Sequence, residues 1–156
     1  MSTRQFQPEQ LEQLYEVARS IHESLEPAEA MQWVVQASVQ LVGASSGSLA
    51  LVNPTTGLLE IEAAVGLPED GSSLMLRLGE GITGWVVRHG EPLCIGDVTT
   101  DDRYISARPD IRSELAVPVH IDREVRAVLN VDSERSDAFS KTDQLLLEEL
   151  AGHATQ

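Results

Sequence analysis

The chain has 156 residues, enough for one domain with a real core, and that core must be aliphatic because Phe, Trp and Tyr number only two each. The 11 Lys+Arg against 25 Asp+Glu leave a net charge of −14. That field repels phosphate backbones and anionic lipid, which argues against nucleic acid or a membrane surface as a partner. Cys94 is the only cysteine, so an internal disulfide and a cysteine-rich metal site are both excluded. No apolar run approaches the ~20 residues that cross a bilayer, and the N-terminal MSTRQFQPEQ lacks a signal peptide's apolar region. A cytoplasmic location is expected.

In chain order, Leu11, Leu14, Ala18, Ile21 and Leu25 recur at helical spacing and draw one apolar stripe. Glu26-Pro27 interrupts the pattern, and proline suits the first turn of a second helix. Met31, Val34, Val35, Val39 and Val42 mark that helix, which ends near Gly43. Ser45–Gly47 reads as a turn. Ser48–Val52 and Leu58–Val65 then read as strands of a hairpin, with a short, weaker strand at Leu74–Leu78. Gly79, Gly81 and Gly84 punctuate a tight turn into a short helix that Gly90 ends. An extended run, Pro92–Ile95, and a charged loop, Gly96–Asp110, follow. The stretch Gly79–Asp110 reads as a lid over a sheet, with a small-molecule pocket beneath it.

The strongest strand pattern is the pair Glu114–Ile121 and Val125–Asp132. Alternation places Leu115, Val117, Val119, Ile121, Ala127, Leu129 and Val131 on one wholly apolar face. Glu114, Ala116, Pro118, His120, Val128, Asn130 and Asp132 fall on the other, small and mixed, as suits a cavity wall. Pro118 cannot donate to a ladder, so an edge position or a bulge is expected there. Ser140-Lys141-Thr142-Asp143 is close to a capping box. It opens a last helix with Leu146, Leu147, Leu150 and Ala154 in one stripe. The order of elements predicts an α+β domain with an antiparallel sheet, terminal helices on one face and the lid on the other.

The segments GEGITGWVV (79–87), IGDVTTDDRY (95–104), IRSELAVPV (111–119), AVLNVDS (127–133) and FSKTD (139–143), in this order, resemble a GAF domain, a small-molecule-sensing module of bacterial signalling proteins. The resemblance implies a single domain over 1–156 with its core at about 11–154. It also implies a six-stranded antiparallel sheet, a pocket under the lid, and dimerisation through the terminal helices. The sequence looks most like the branch containing free methionine sulfoxide reductase. That enzyme's cysteine positions correspond to Thr83 and Ala107 here, so no catalytic residue is expected. Two carboxylates of its ligand site match Glu114 and Asp132, and a third acid is Asn130. The motifs of cyclic-nucleotide and bilin-binding GAF domains are not matched. His22, His89, His120 and His153 stand singly, so no metal is expected and no cofactor is indicated.

The expected function is a non-catalytic small-molecule-sensing and dimerisation module of a bacterial signal-transduction protein, attached to an output domain. Its ligand set would be Glu114, Asn130, Asp132, Trp85, Tyr104 and Ala107. Carboxylates and an amide can hold an amine or a hydroxyl-rich ligand. The alternatives are a reductase-like enzyme on a free amino-acid-like substrate and a structural dimerisation unit whose pocket is filled by side chains such as Trp85, Val128 and Tyr104. Surplus apolar stripes on the first and last helices are expected to pair two copies. Cys94 is expected to be a small buried hydrophobe.

Overall fold

In the computed structural model, the described residues are 26–66, 76–77, 81–104 and 110–153, together with Glu9, Glu12, Gln13, Glu16 and Arg19. Those five N-terminal residues are helical and exposed, while the predicted stripe Leu11, Leu14, Ala18, Ile21 and Leu25 lies outside the described residues.

Helix α1, Pro27–Val42, begins with proline in its first turn and stops at Gly43, whose φ of 66° lets its N–H reach back to the Val39 carbonyl. Strands β1 (Ser46–Val52) and β2 (Leu58–Val65) form the first hairpin, and β3 is the two-residue Leu76–Arg77. Helix α2, Gly81–His89, and strand β4, Leu93–Ile95, precede a single 3-10 turn at Val98–Thr100. The second hairpin joins β5 (Ser113–Ile121) to β6 (Glu124–Ser133), and α3 spans Lys141–His153. Ser140 and Asp143 cap α3 reciprocally: the Ser140 N–H donates to Asp143 Oδ2 at 2.8 Å and the Asp143 N–H to Ser140 Oγ at 3.2 Å.

The sheet order is β3-β2-β1-β6-β5-β4, and all pairs are antiparallel. Five strands carry this sheet. Of the sixth strand expected from the resemblance, the described residues hold two residue pairs on the outer side of β2. The run Leu93–Ile95, assigned from the sequence to the lid, is instead the opposite edge strand. It pairs only with Glu114–Ala116, so Pro118 falls on the part of β5 that has no outer neighbour and needs no donor there.

One face of the sheet buries Leu115, Val117, Val119, Ala127, Leu129 and Val131 against Val34, Val35 and Ala37 of α1 and Leu147, Leu150 and Ala151 of α3. Gly47, placed in a turn from the sequence, belongs to β1. A Cβ there would lie 2.8 Å from Val39 Cγ2, so α1 can cross β1 only over a glycine. Leu146, Leu147 and Leu150 are 0 % exposed, so the leucines assigned to a dimer contact on the last helix are consumed by the protomer's own core, while Ala154 of that stripe lies outside the described residues. Ile121, expected on the apolar face, is 42 % exposed at the tip of the second hairpin.

That tip is a two-residue turn in which Asp122 and Arg123 have φ of 53° and 71°. Two successive positive φ values define a type I′ turn, which suits the twist of the flanking strands but strains a side chain such as that of Arg123. Arg123→Gly is expected to relieve that strain and raise stability by about 1 kcal/mol. A urea melt with an unchanged or lower midpoint would contradict it.

Candidate functional site

The sheet face opposite the terminal helices is covered by α2 and the segment around the 3-10 turn. Ile82 and Val86 of α2, with Ile95, Val98 and Ile111, close over Ala116 and Val128 of the sheet. Trp85, Val87, Leu93 and Tyr104 are partly buried against this cluster. The layer is therefore apolar, and the polar groups within it are few.

Those few are brought together by register. Glu114 stands directly opposite Asp132 on the β5–β6 ladder, and Asp132 opposite Ser46 on β1. One pleat further on, Ala116, Asn130 and Ser48 form the next row across the same strands. Glu114, Asn130 and Asp132 are buried, with 6 %, 9 % and 8 % exposure. The Ser46 hydroxyl donates to Asp132 Oδ1. Asn130 Oδ1 is buried without a hydrogen-bond partner, a costly state for an amide oxygen away from water.

Burial pushes the Glu114 carboxyl up to about 8, helped by the charges of Asp132 and Asp101. Glu114 is therefore largely a neutral acid at pH 7. Asp101 behaves oppositely. Arg103 grips it through Nε to Oδ1 at 2.9 Å and Nη2 to Oδ2 at 2.6 Å, and these hydrogen bonds hold its carboxyl below the usual range. The same guanidinium lies 4.9 Å from the centre of the Trp85 ring, and Trp85 stacks on His89 at 4.1 Å between centroids. Asp97 caps the 3-10 turn by accepting from Thr99 N at 3.0 Å and Thr99 Oγ1 at 2.6 Å, which lowers its pKa too.

Five of the six residues assigned from the sequence to a ligand set are thus described. Glu114, Asn130 and Asp132 share one sheet face, and Trp85 and Tyr104 pack on the apolar cluster beside it. Ala107 lies outside the described residues. Ser46, Ser48, Asp101 and Arg103 were not singled out by sequence. The two serines alternate with Gly47 and Leu49, a period of two that a strand beginning at Ser46 would have revealed. Thr83, on α2, is partly buried.

Cys94 differs from expectation in being exposed. It lies on β4, the edge strand of the sheet among the described residues, and its thiol points to the Phe139 carbonyl at 3.6 Å. Partial desolvation raises its pKa, and the carboxylates of Asp143 and Asp137 raise it further, outweighing Lys141. Among the described residues, no group of three or more His, Cys, Asp or Glu side chains could hold a metal ion. No helix there is long and apolar enough to cross a membrane.

The family model for the GAF domain matches residues 24–156. The chain belongs to the GAF-domain family. The domain is superimposable on the GAF domain of an Acinetobacter phosphoenolpyruvate-protein phosphotransferase, with a TM-score of 0.88 at 22% identity over 96% of this chain and 92% of that one. Free methionine-R-sulfoxide reductase of Neisseria meningitidis, solved with its substrate, gives a TM-score of 0.87 at 22% identity over 99% of this chain and 93% of that chain. At such identities the likeness is one of fold. A curated relative, Protein YtsP of Bacillus subtilis (strain 168), is 26% identical over 95 residues, which are 61% of this chain. This GAF domain spans about half, 56%, of that relative's length.

Two outcomes follow from these electrostatics. Glu114 carries no penalty below its ordinary value of 4.5 and the full penalty above about 8, because the folded state binds the extra proton between those limits. Stability should therefore fall as pH rises through that window, by up to ~1.4 kcal/mol per unit. Glu114→Gln should remove the slope, so that its melting temperature gains on wild type as pH increases. A gap that stays constant from acid to alkaline pH would contradict the assignment. Separately, alkylation of Cys94 by iodoacetamide near neutral pH should be slower than that of glutathione, since the thiolate fraction is depressed despite exposure.

Proposed function

We propose that this GAF domain is a non-catalytic sensory module of a bacterial signal-transduction protein, binding a small molecule against the face of Glu114, Asn130 and Asp132. Trp85 and Tyr104, with Ala107 assigned from sequence, complete the binding set. The observation that carries this reading is the buried acceptor row. A merely structural layer would be more stable with apolar residues there than with two opposed acids and an orphaned amide oxygen. A ligand with donors would satisfy them.

Ligand contacts in this layer bear on α2 and on β5 and β6, whose other faces support α1 and α3. Unequal affinity for two packings of these layers would pass the signal to an attached output domain. Pairing of two copies belongs to the same reading. With the leucines of α3 in the core, the stripe of the first helix is the remaining candidate for it.

The positions that correspond to the cysteines of the reductase branch are Thr83 and Ala107, which supplies no thiolate to attack a sulfoxide. Thiol-dependent reduction of free methionine sulfoxide by the purified protein would overturn the non-catalytic reading. The structural reading, a domain with a filled site, is favoured by one observation: Val128 is buried in the same cluster against which Trp85 and Tyr104 pack. Native mass spectrometry of protein purified from cells separates the two. The sensory reading expects a retained small molecule, and its loss from the Glu114→Ala and Asp132→Ala variants while their circular dichroism is preserved.

A further inference from the structure

We propose that Asn130 is the selecting group of this face, and that its side-chain amide pairs with an uncharged ligand presenting an N–H beside a carbonyl, a carboxamide or a lactam. This rests on the reading that the face is a ligand site, and it adds the ligand's chemical class and the residue that chooses it.

Asn130 sits in the middle of the sheet on β6, between Ala116 of β5 and Ser48 of β1. Alternation along the strand places it with Val128, on the side that Ile82 and Val86 of α2 cover. Only 9 % of the residue is exposed, and its Oδ1 is buried without a hydrogen-bond partner. An apolar side chain would fill that place without leaving an oxygen unsatisfied. The fold therefore gains nothing from the amide, which is explained by a partner that the folded chain does not itself supply. An amide side chain carries an acceptor and a donor on one edge. That edge pairs with an adjacent donor and acceptor through two parallel hydrogen bonds, the pattern by which asparagine reads a base edge. The ligand's N–H donates to Oδ1, and its carbonyl accepts from the Nδ2 hydrogen.

Burial chooses an uncharged donor over a charged one. The layer over Asn130 is apolar, so a cation would lose its water there. Desolvation is also the largest cause of the raised pKa of Glu114, about 8, which stands diagonally from Asn130 on the ladder. That neighbour is largely uncharged at neutral pH. Asp132 accepts from the Ser46 hydroxyl, and Asp101 from the Arg103 guanidinium. A neutral amide avoids the desolvation penalty, and Trp85 and Tyr104, partly buried against the cluster, offer aromatic surface to its flat body. Because Oδ1 is sealed from solvent, the ligand reaches it by displacing part of the apolar layer. Its hydrogen bonds favour that opened packing over the closed one.

The test uses pyrrolidinone, a small lactam, against N-methylpyrrolidinone, which keeps the carbonyl and lacks the N–H, and against butylammonium. Proton–nitrogen NMR spectra of the full chain report the side-chain amide of Asn130, assigned by its loss in Asn130→Leu. Pyrrolidinone should shift that resonance to saturation by tens of millimolar, and the N-methyl analogue should bind at least about tenfold more weakly. Asn130→Leu should melt at or above the wild-type temperature and should no longer distinguish the two lactams. The proposal is overturned by equal affinity of the wild type for both lactams, by an Asn130 resonance that pyrrolidinone leaves unmoved at tens of millimolar, or by tighter binding of butylammonium there. If Asn130→Leu fails to fold, the wild-type preference between the lactams decides alone. A molecule retained through purification that depends on Glu114 and Asp132 but not on Asn130 would leave the sensory reading standing and end this one. A retained molecule indifferent to all three residues would end both.

Discussion

The β5–β6 ladder sets the terms for the rest of the domain. Its odd-numbered positions, Leu115, Val117, Val119, Ala127, Leu129 and Val131, enter the core beneath α1 and α3, so its even-numbered positions must face α2. A slip of one residue would send Glu114 and Asp132 into that core and expose the aliphatics. Each buried Val or Leu is worth roughly 1.5–3 kcal/mol, and the five of them on this hairpin outweigh the repulsion between two acids. The core therefore holds Glu114 against Asp132, whatever those two side chains would prefer by themselves. The unfavourable pairing is a consequence of a favourable register.

What surrounds the acids decides their states. The apolar layer of Ile82, Val86, Val98 and Val128 keeps water away and leaves Glu114 protonated. Thirteen residues earlier in the chain, Asp101 meets an arginine at hydrogen-bond distance, which favours its ionised form. Two carboxyl groups of one site are thus driven in opposite directions, one by burial and a like charge, the other by a guanidinium. The Arg103 fork serves twice, since it also lies over Trp85 and so ties the segment after the 3-10 turn to α2.

The fold is shared by proteins of different kinds, among them a domain of a phosphotransferase and a methionine sulfoxide reductase. Architecture alone therefore does not choose between sensing and chemistry, and the side chains on the sheet face under α2 must. Here the polar ones are two carboxyl groups, an amide and two serines, with threonine on α2. Cys94, the one strong nucleophile by type, lies on an edge strand and on the helix side of the sheet, opposite Leu115 rather than beside Glu114.

Much of this was determined by the sequence alone. Strict alternation in ELAVPVHI and VRAVLNVD separates an apolar face from an acidic one without any knowledge of neighbours, because successive side chains of a strand point to opposite sides. The N-cap at Ser140, the stop at Gly43 and the need for an edge position or a bulge at Pro118 were equally legible, since each is a local requirement of the backbone. Tertiary structure decided what covers each face. Only the pairing of β1 with β2 and β6 makes Gly47 a strand residue and carries Ser46 to Asp132. Only the sheet order leaves Cys94 exposed, and only the packing of α3 against β5 consumes the leucines that had looked surplus. Periodicity fixes which residues share a surface. Whether that surface meets water, another element or a ligand depends on contacts between residues far apart in the chain, and no local pattern records them.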